Sequence, residues 1–143
     1  MLFDPSRDQV RRFFLDVWRK TQDQVPMSPM ELMAQEWMLL HPEYHGLFAD
    51  EDKAMTKDFS VEDGQTNPFL HLSMHLALQE QMSIDQPPGV RDALNRLIEQ
   101  ADDVHEAMHH AMQCLGEMLY NAQRQSAPPD VQSYLECLQR QAG

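Results

Sequence analysis

The stretch from Asn67 to Met82, NPFLHLSMHLALQEQM, sets the strongest limit on what this chain can fold into. Asn67-Pro68 reads as a helix entry, and SIDQPPG, residues 83–89, as a sharp stop and restart, with Pro88 suited to open the next helix. Successive residues of a helix lie about 100° apart. On that wheel Phe69, Leu72 and Leu76 take one side, Leu70, Met74 and Ala77 another, and Leu78 and Met82 close the ring. A helix that is apolar all round has to be enclosed by other elements. The rest of the chain must therefore surround residues 68–82, and it offers only helices to do so.

Asp4-Pro5 reads as an N-cap and first helical position, and Val10, Phe13, Phe14 and Val17 carry an amphipathic helix to about residue 22. Ser28-Pro29-Met30-Glu31 is a capping box; Met30, Ala34, Trp37 and His41 follow on one stripe, and Pro42 ends the helix. Val90, Leu94, Leu97, Ile98 and Ala101 form a further stripe. Asp103-Val104-His105-Glu106 is a capping signal that predicts a break at 101–103. The apolar phase from Val90 to Leu119 leaves one long kinked helix over 88–124 as the alternative. Val104, Met108, Ala111, Leu115 and Leu119 continue until Pro128-Pro129-Asp130, and Val131, Tyr134, Leu135 and Leu138 make a last helix. Residues 46–66 are acidic and weakly periodic, a long connection with one short helix near 50–56. No segment alternates with period two. The 143 residues, 42% hydrophobic and with only 5 Gly, therefore predict an all-α fold. We expect one domain over 1–143, a compact bundle of five or six helices with 68–82 buried at its centre.

A formal net charge of −12 argues against nucleic acid or an anionic membrane surface as partner and leaves a protein partner open. Arg7, Arg11, Arg12, Arg19 and Lys20 make the first helix mildly basic, which reads as a solvated face. No apolar run is long enough to span a membrane and no leader pattern is present, so a cytoplasmic protein is expected. Cys114 and Cys137 form no C-x-x-C, which points to a reducing compartment; Cys114, among Met112, Leu115 and Met118, reads as a shielded, inert thiol. Of the 11 methionines, Met30, Met33, Met38, Met74, Met108 and Met118 fit helical core spacing, and core filler is the reading.

Six of the 7 histidines fall into three H-x-x-x-H pairs: His41/His45, His71/His75 and His105/His109. On one helix, positions i and i+4 share a face, so such a pair can present two nitrogens to one metal ion. Pro42 interrupts the first pair. His71 and His75 sit on the helix without a polar face, where an imidazole must find hydrogen-bond partners or a ligand. Core histidines bonded to carbonyls, carboxylates or water are the plain alternative. If a metal binds, His71 and His75 are its first ligands, and His109 or His45 joins them; His41 and Glu36 are further choices. Zinc, iron, nickel and manganese are the ions considered.

His105-Glu106-Ala107-Met108-His109 also spells H-E-x-x-H, the zinc-protease motif, and a zinc hydrolase is the remotest reading. Its extended form is absent, since Met112 and Leu115 stand where a glycine and a third histidine belong. Glu117 lies two turns, about 12 Å, beyond His109 on the same helix. Glu136 remains as a third ligand in principle. The wheel turns Glu106 away from Met108 and Leu115, towards solvent. A di-iron carboxylate bundle needs two Glu-x-x-His motifs on separate helices, and only Glu106/His109 provides one. No catalytic set emerges.

The entry FDPSRDQVRRFF, the HPEYH segment, EDGQTNPFLHLSMHL and CLGEMLYNAQR together resemble a proteobacterial family of short proteins, domain of unknown function 1841. The likeness covers nearly the whole chain, and His71, His75, Glu80 and Cys114 lie in segments that carry it. It implies a stand-alone bacterial protein of this length and brings no activity, cofactor or partner. A mixed site of His71, His75 and His109 is loosely similar to the histidine sites of hemerythrin-like and DinB-like bundles, without either family's full ligand pattern. Two readings follow: a helical bundle that binds a transition metal through histidines, or a non-enzymatic interaction module using its acidic surface or the 46–66 connection.

Overall fold

A computed structural model describes residues 6–59 and 67–143. Among them the protein is all-helical, with eight α-helices and no strand. The helices are α1 (Arg7–Asp23), α2 (Pro29–Leu39), α3 (His45–Phe48), α4 (Glu51–Thr56), α5 (Pro68–Ile84), α6 (Val90–Gln100), α7 (Val104–Gln125) and α8 (Val131–Gln141), with a 3-10 turn at Pro42–Tyr44. The expected five or six becomes eight because the short helix expected near 50–56 forms as α4 and counts with the rest, and because α3, with 4 residues, is too short for a periodic pattern to show. The chain divides into two compact units, one reaching to Leu76 and the other running from Ala77, so α5 contributes to both. Of α5, Phe69, Leu72, His75 and Leu78 are buried and Met74, Leu76, Ala77 and Met82 half-buried, but Leu70 is exposed, so the expected apolar ring is open on that side.

In the first unit, α1 buries Phe14, Leu15 and Val17. Phe14 meets Phe69 of α5 at a ring distance of 6.2 Å, and Phe69 meets Phe48 of α3 at 6.1 Å. The cap of α1 is Ser6, in a capping box with Gln9; the expected Asp4-Pro5 entry lies outside the described residues. The box at Ser28 and Glu31 forms as the spelling predicts, and such a cap contributes about 1 kcal/mol. Glu31 also takes an ion pair from Lys20 at 2.7 Å, tying α1 to α2. The hydrogen bond from Lys20, then those from Ser28, hold the Glu31 carboxyl below its ordinary range.

The basic face of α1 is solvated at Arg7, Arg12 and Arg19, as expected, but not at Arg11. Arg7 reaches the carbonyls of Thr56 and Lys57 and pairs with Asp58, and Arg12 pairs with Glu51. Arg11 is buried, and its Nη1 donates to the carbonyls of Ala54 at 3.0 Å and Lys57 at 2.8 Å. The last carbonyls of a helix have no partner within it, and Arg11 supplies one. A charge on a short stem of α1 thus ends α4. The described part of the acidic connection is held against α1; residues 60–66 lie outside the described residues.

In the second unit α6, α7 and α8 pack pairwise. Their buried residues recur at helical spacing: Val90, Ala93, Leu94 and Leu97; Ala107, Met108, Ala111 and Leu115; Tyr134, Cys137 and Leu138. Two helices, not one kinked one, occupy 88–124, because the Asp103 side chain accepts from the Glu106 amide at 2.7 Å and starts α7 afresh. The restart after α5 comes at Val90, two residues later than Pro88 suggests. Gly89 stands before it at φ +96°, a conformation that glycine adopts without cost. Asp85 accepts the Gly89 and Arg91 amides, and Arg91 returns to the Met82 and Ser83 carbonyls at the end of α5.

Cys114 and Cys137 are joined as a disulfide between α7 and α8, with Cα atoms 5.7 Å apart. This overturns the shielded free thiol expected at Cys114. The two cysteines are 23 residues apart, and only the antiparallel return of α8 along α7 makes them neighbours. No helix among the described residues is long and apolar enough to cross a membrane.

Candidate metal centre

The first unit gathers three imidazoles where α2 ends. Pro42 stops α2 from continuing, and His41 leaves the helix at φ −123°, ψ 67°. The last carbonyls of α2 are then open to side chains. His41 Nδ1 meets the Trp37 carbonyl at 2.7 Å, and His45 Nε2 meets the Met38 carbonyl at 2.8 Å. A carbonyl only accepts, so His41 is protonated on Nδ1 and carries its lone pair on Nε2. That is how proteins commonly orient a metal-binding histidine: one nitrogen held by an oxygen acceptor, the other turned to the ion.

His41 Nε2 lies 3.1 Å from His71 Nε2. Two nitrogens bound to one ion at about 2.1 Å stand roughly 3–3.5 Å apart. The spacing thus suits a shared ion as well as an N–H···N hydrogen bond. His71 and His75 are one turn apart on α5, ring centres 4.9 Å apart, and His41 lies 4.8 and 5.0 Å from them. The three rings form a nearly equilateral triangle. Two aromatic plates fix its planes: Trp37 stacks on His75 at 4.0 Å and 12°, and Tyr44 lies parallel to His41 at 5.3 Å. His75 is fully buried, His41 nearly so, and His71 half-buried. Burial, with the nearby Glu43 adding to it, also raises the Tyr44 phenol above its ordinary pKa, so the plate beside His41 stays neutral.

Of the predicted ligands, His71 and His75 are brought together. The partner that joins them in the first unit is His41, which the interruption by Pro42 had put behind His45. The same proline that breaks the i,i+4 pair releases the His41 ring to bond the Trp37 carbonyl. His45 bonds the Met38 carbonyl and packs on Trp18 at 4.7 Å. Glu36 is exposed. In the second unit His105 and His109 lie one turn apart on α7 with ring centres at 4.3 Å, His105 half-buried and His109 exposed. Glu106 is exposed and its carboxylate faces His110 at 3.7 Å, one turn along α7.

The chain belongs to the DUF1841 family. The family model, described as a domain of unknown function, matches residues 6–140. No curated protein and no solved structure matches the chain. For this DUF1841 member the site chemistry therefore has to be read from its own residues. Imidazole nitrogens, with the His41 ring already oriented by the Trp37 carbonyl, suit zinc, iron or nickel; manganese prefers oxygen donors.

Proposed function

We propose that this DUF1841 protein binds one transition-metal ion through histidine nitrogens. The observation that carries the reading is the triangle of His41, His71 and His75, with His41 Nδ1 held by the Trp37 carbonyl and His41 Nε2 at 3.1 Å from His71 Nε2. Two or three ligands from one unit do not complete a coordination sphere. The remaining positions around an ion held by His41, His71 and His75 are open to water or an anion. An all-imidazole set leaves the ion its full positive charge, which favours an anion or hydroxide in any open position.

Metal analysis of untagged protein tests this. We expect about one zinc, iron or nickel ion per chain, retained through gel filtration. His41→Ala, His71→Ala and His75→Ala should lose it, and His45→Ala should keep it. Wild type that is purified without metal and fails to take up added zinc, iron or nickel would end the proposal, with circular dichroism showing each variant folded.

In the alternative reading, a non-enzymatic interaction module, the acidic surface of the 46–66 connection meets the partner; Glu51 and Asp58 there pair with Arg12 and Arg7 and stay exposed.

A further inference from the structure

We propose that Cys114 and Cys137 form a thiol–disulfide exchange site for low-molecular-weight thiols that carry both an ammonium and a carboxylate group. The proposal is independent of the metal reading and rests on the second unit alone.

Both cysteines line a cleft of about 370 Å³. That is at the small end of the range for ligand pockets. The cleft has polar walls. Glu117, Asn121, Asp130, Ser133, Tyr134 and Arg140 share the lining with the cysteines. Two carboxylates and one guanidinium in the same lining as the disulfide match the charges of an amino-acid-like thiol.

The two sulfurs are not equivalent. Cys114 is 1% exposed and Cys137 7%, so an incoming thiolate meets Cys137 first. Glu117 Oε2 stands 3.8 Å from Cys137 Sγ. In the disulfide that sulfur has no proton, so the approach is a contact. In the dithiol, the Cys137 S–H donates to Glu117, and the carboxylate disfavours the thiolate. Glu117 therefore slows re-oxidation.

The exchange balances in two steps. A small thiolate attacks Cys137 Sγ along the S–S axis; that bond breaks, and Cys114 leaves with the electron pair and takes a proton from solvent. A second thiolate attacks the small-molecule sulfur of the mixed disulfide and expels Cys137, which is protonated in turn. Two small thiols become one small disulfide, and the protein disulfide becomes two thiols.

Reduced glutathione and its disulfide serve as probes. In native buffer, reduced glutathione should open the wild-type disulfide, read as two alkylated thiols by mass, while circular dichroism stays folded. Cys114→Ser has no resolving thiol and should accumulate one glutathione adduct at Cys137 when given glutathione disulfide. Cys137→Ser should react roughly tenfold more slowly or less, because its remaining thiol is shielded. Glu117→Gln should speed alkylation of the reduced protein. A wild-type disulfide that resists glutathione until denaturant is added would overturn the proposal, and so would equal adduct rates in the two serine variants.

Discussion

Truncating Arg11 tests the first unit at the point where a charge replaces helix capping. Its Nη1 makes two hydrogen bonds, to the Ala54 and Lys57 carbonyls, and its guanidinium lies 5.1 Å from the Phe69 ring centre and 5.5 Å from that of Phe59. A hydrogen bond from a charged group contributes about 1.5–3 kcal/mol, and a buried carbonyl left without a donor costs about 1–3 kcal/mol. Against this stands the desolvation of the guanidinium, several kcal/mol, which Arg11→Ala removes. Burial also lowers the Arg11 pKa, the sign of that same cost. Taking the two bonds at the low end and allowing α4 to fray into water, we expect Arg11→Ala to lose about 2–4 kcal/mol. Arg11→Lys should recover only part of it, because an ammonium on a shorter reach cannot follow the planar fork. Both tryptophans, Trp18 and Trp37, belong to the first unit, so fluorescence during urea unfolding follows that unit without interference from the second. A loss below about 1 kcal/mol would show that α4 needs no partner for its end.

Leu72 is fully buried on α5, and Leu72→Ala should cost about 2–5 kcal/mol by the same assay; a loss under about 1 kcal/mol would mean that α5 repacks freely there. Glu31 has a depressed folded-state pKa, so its contribution is present above the ordinary value of 4.5 and is lost as pH falls through the lower folded value. Acid titration of wild type should therefore show a loss below that value that Glu31→Gln lacks, and superimposable acid limbs would refute it. Glu106→Gln should leave fold and metal content unchanged, since its carboxylate is exposed and faces His110; loss of metal would return the H-E-x-x-H motif to consideration.

Local rules carried the helix boundaries where a side chain caps its own helix. Ser28 with Glu31, and Asp103 with the Glu106 amide, are decided within four residues, and both form as spelled. The ring of apolar residues on α5, open at Leu70, was legible for the same reason, since a wheel depends on one helix only. Arg11 was not. On a basic helix Arg7, Arg11 and Arg12 look alike, and only the return of α4 against α1 decides which of them is buried. The cysteines failed likewise, because 23 residues of α7, turn and α8 must be laid down before the pair exists.

The histidines fall between these cases, and they show what spacing can and cannot say. The i,i+4 rule found His71 and His75 because both share α5. It passed over His41 because the rule presumes a continuous helix. A break in a helix does not only destroy a periodic face. It also uncovers the last carbonyls, and a histidine four residues after one of them can bond it with Nδ1 and turn Nε2 outward. Trp37-x-x-x-His41-Pro42 contains the whole device: an acceptor, the right separation and the proline that frees it. Pro42→Ala separates this account from one based on periodicity. Without the proline, α2 can extend through His41, the Trp37 carbonyl can take the residue 41 amide, and the imidazole loses its tether. Metal affinity should then fall although no histidine has been changed. Unaltered affinity with α2 extended would mean that Tyr44, His71 and His75 position the ring without the Trp37 carbonyl.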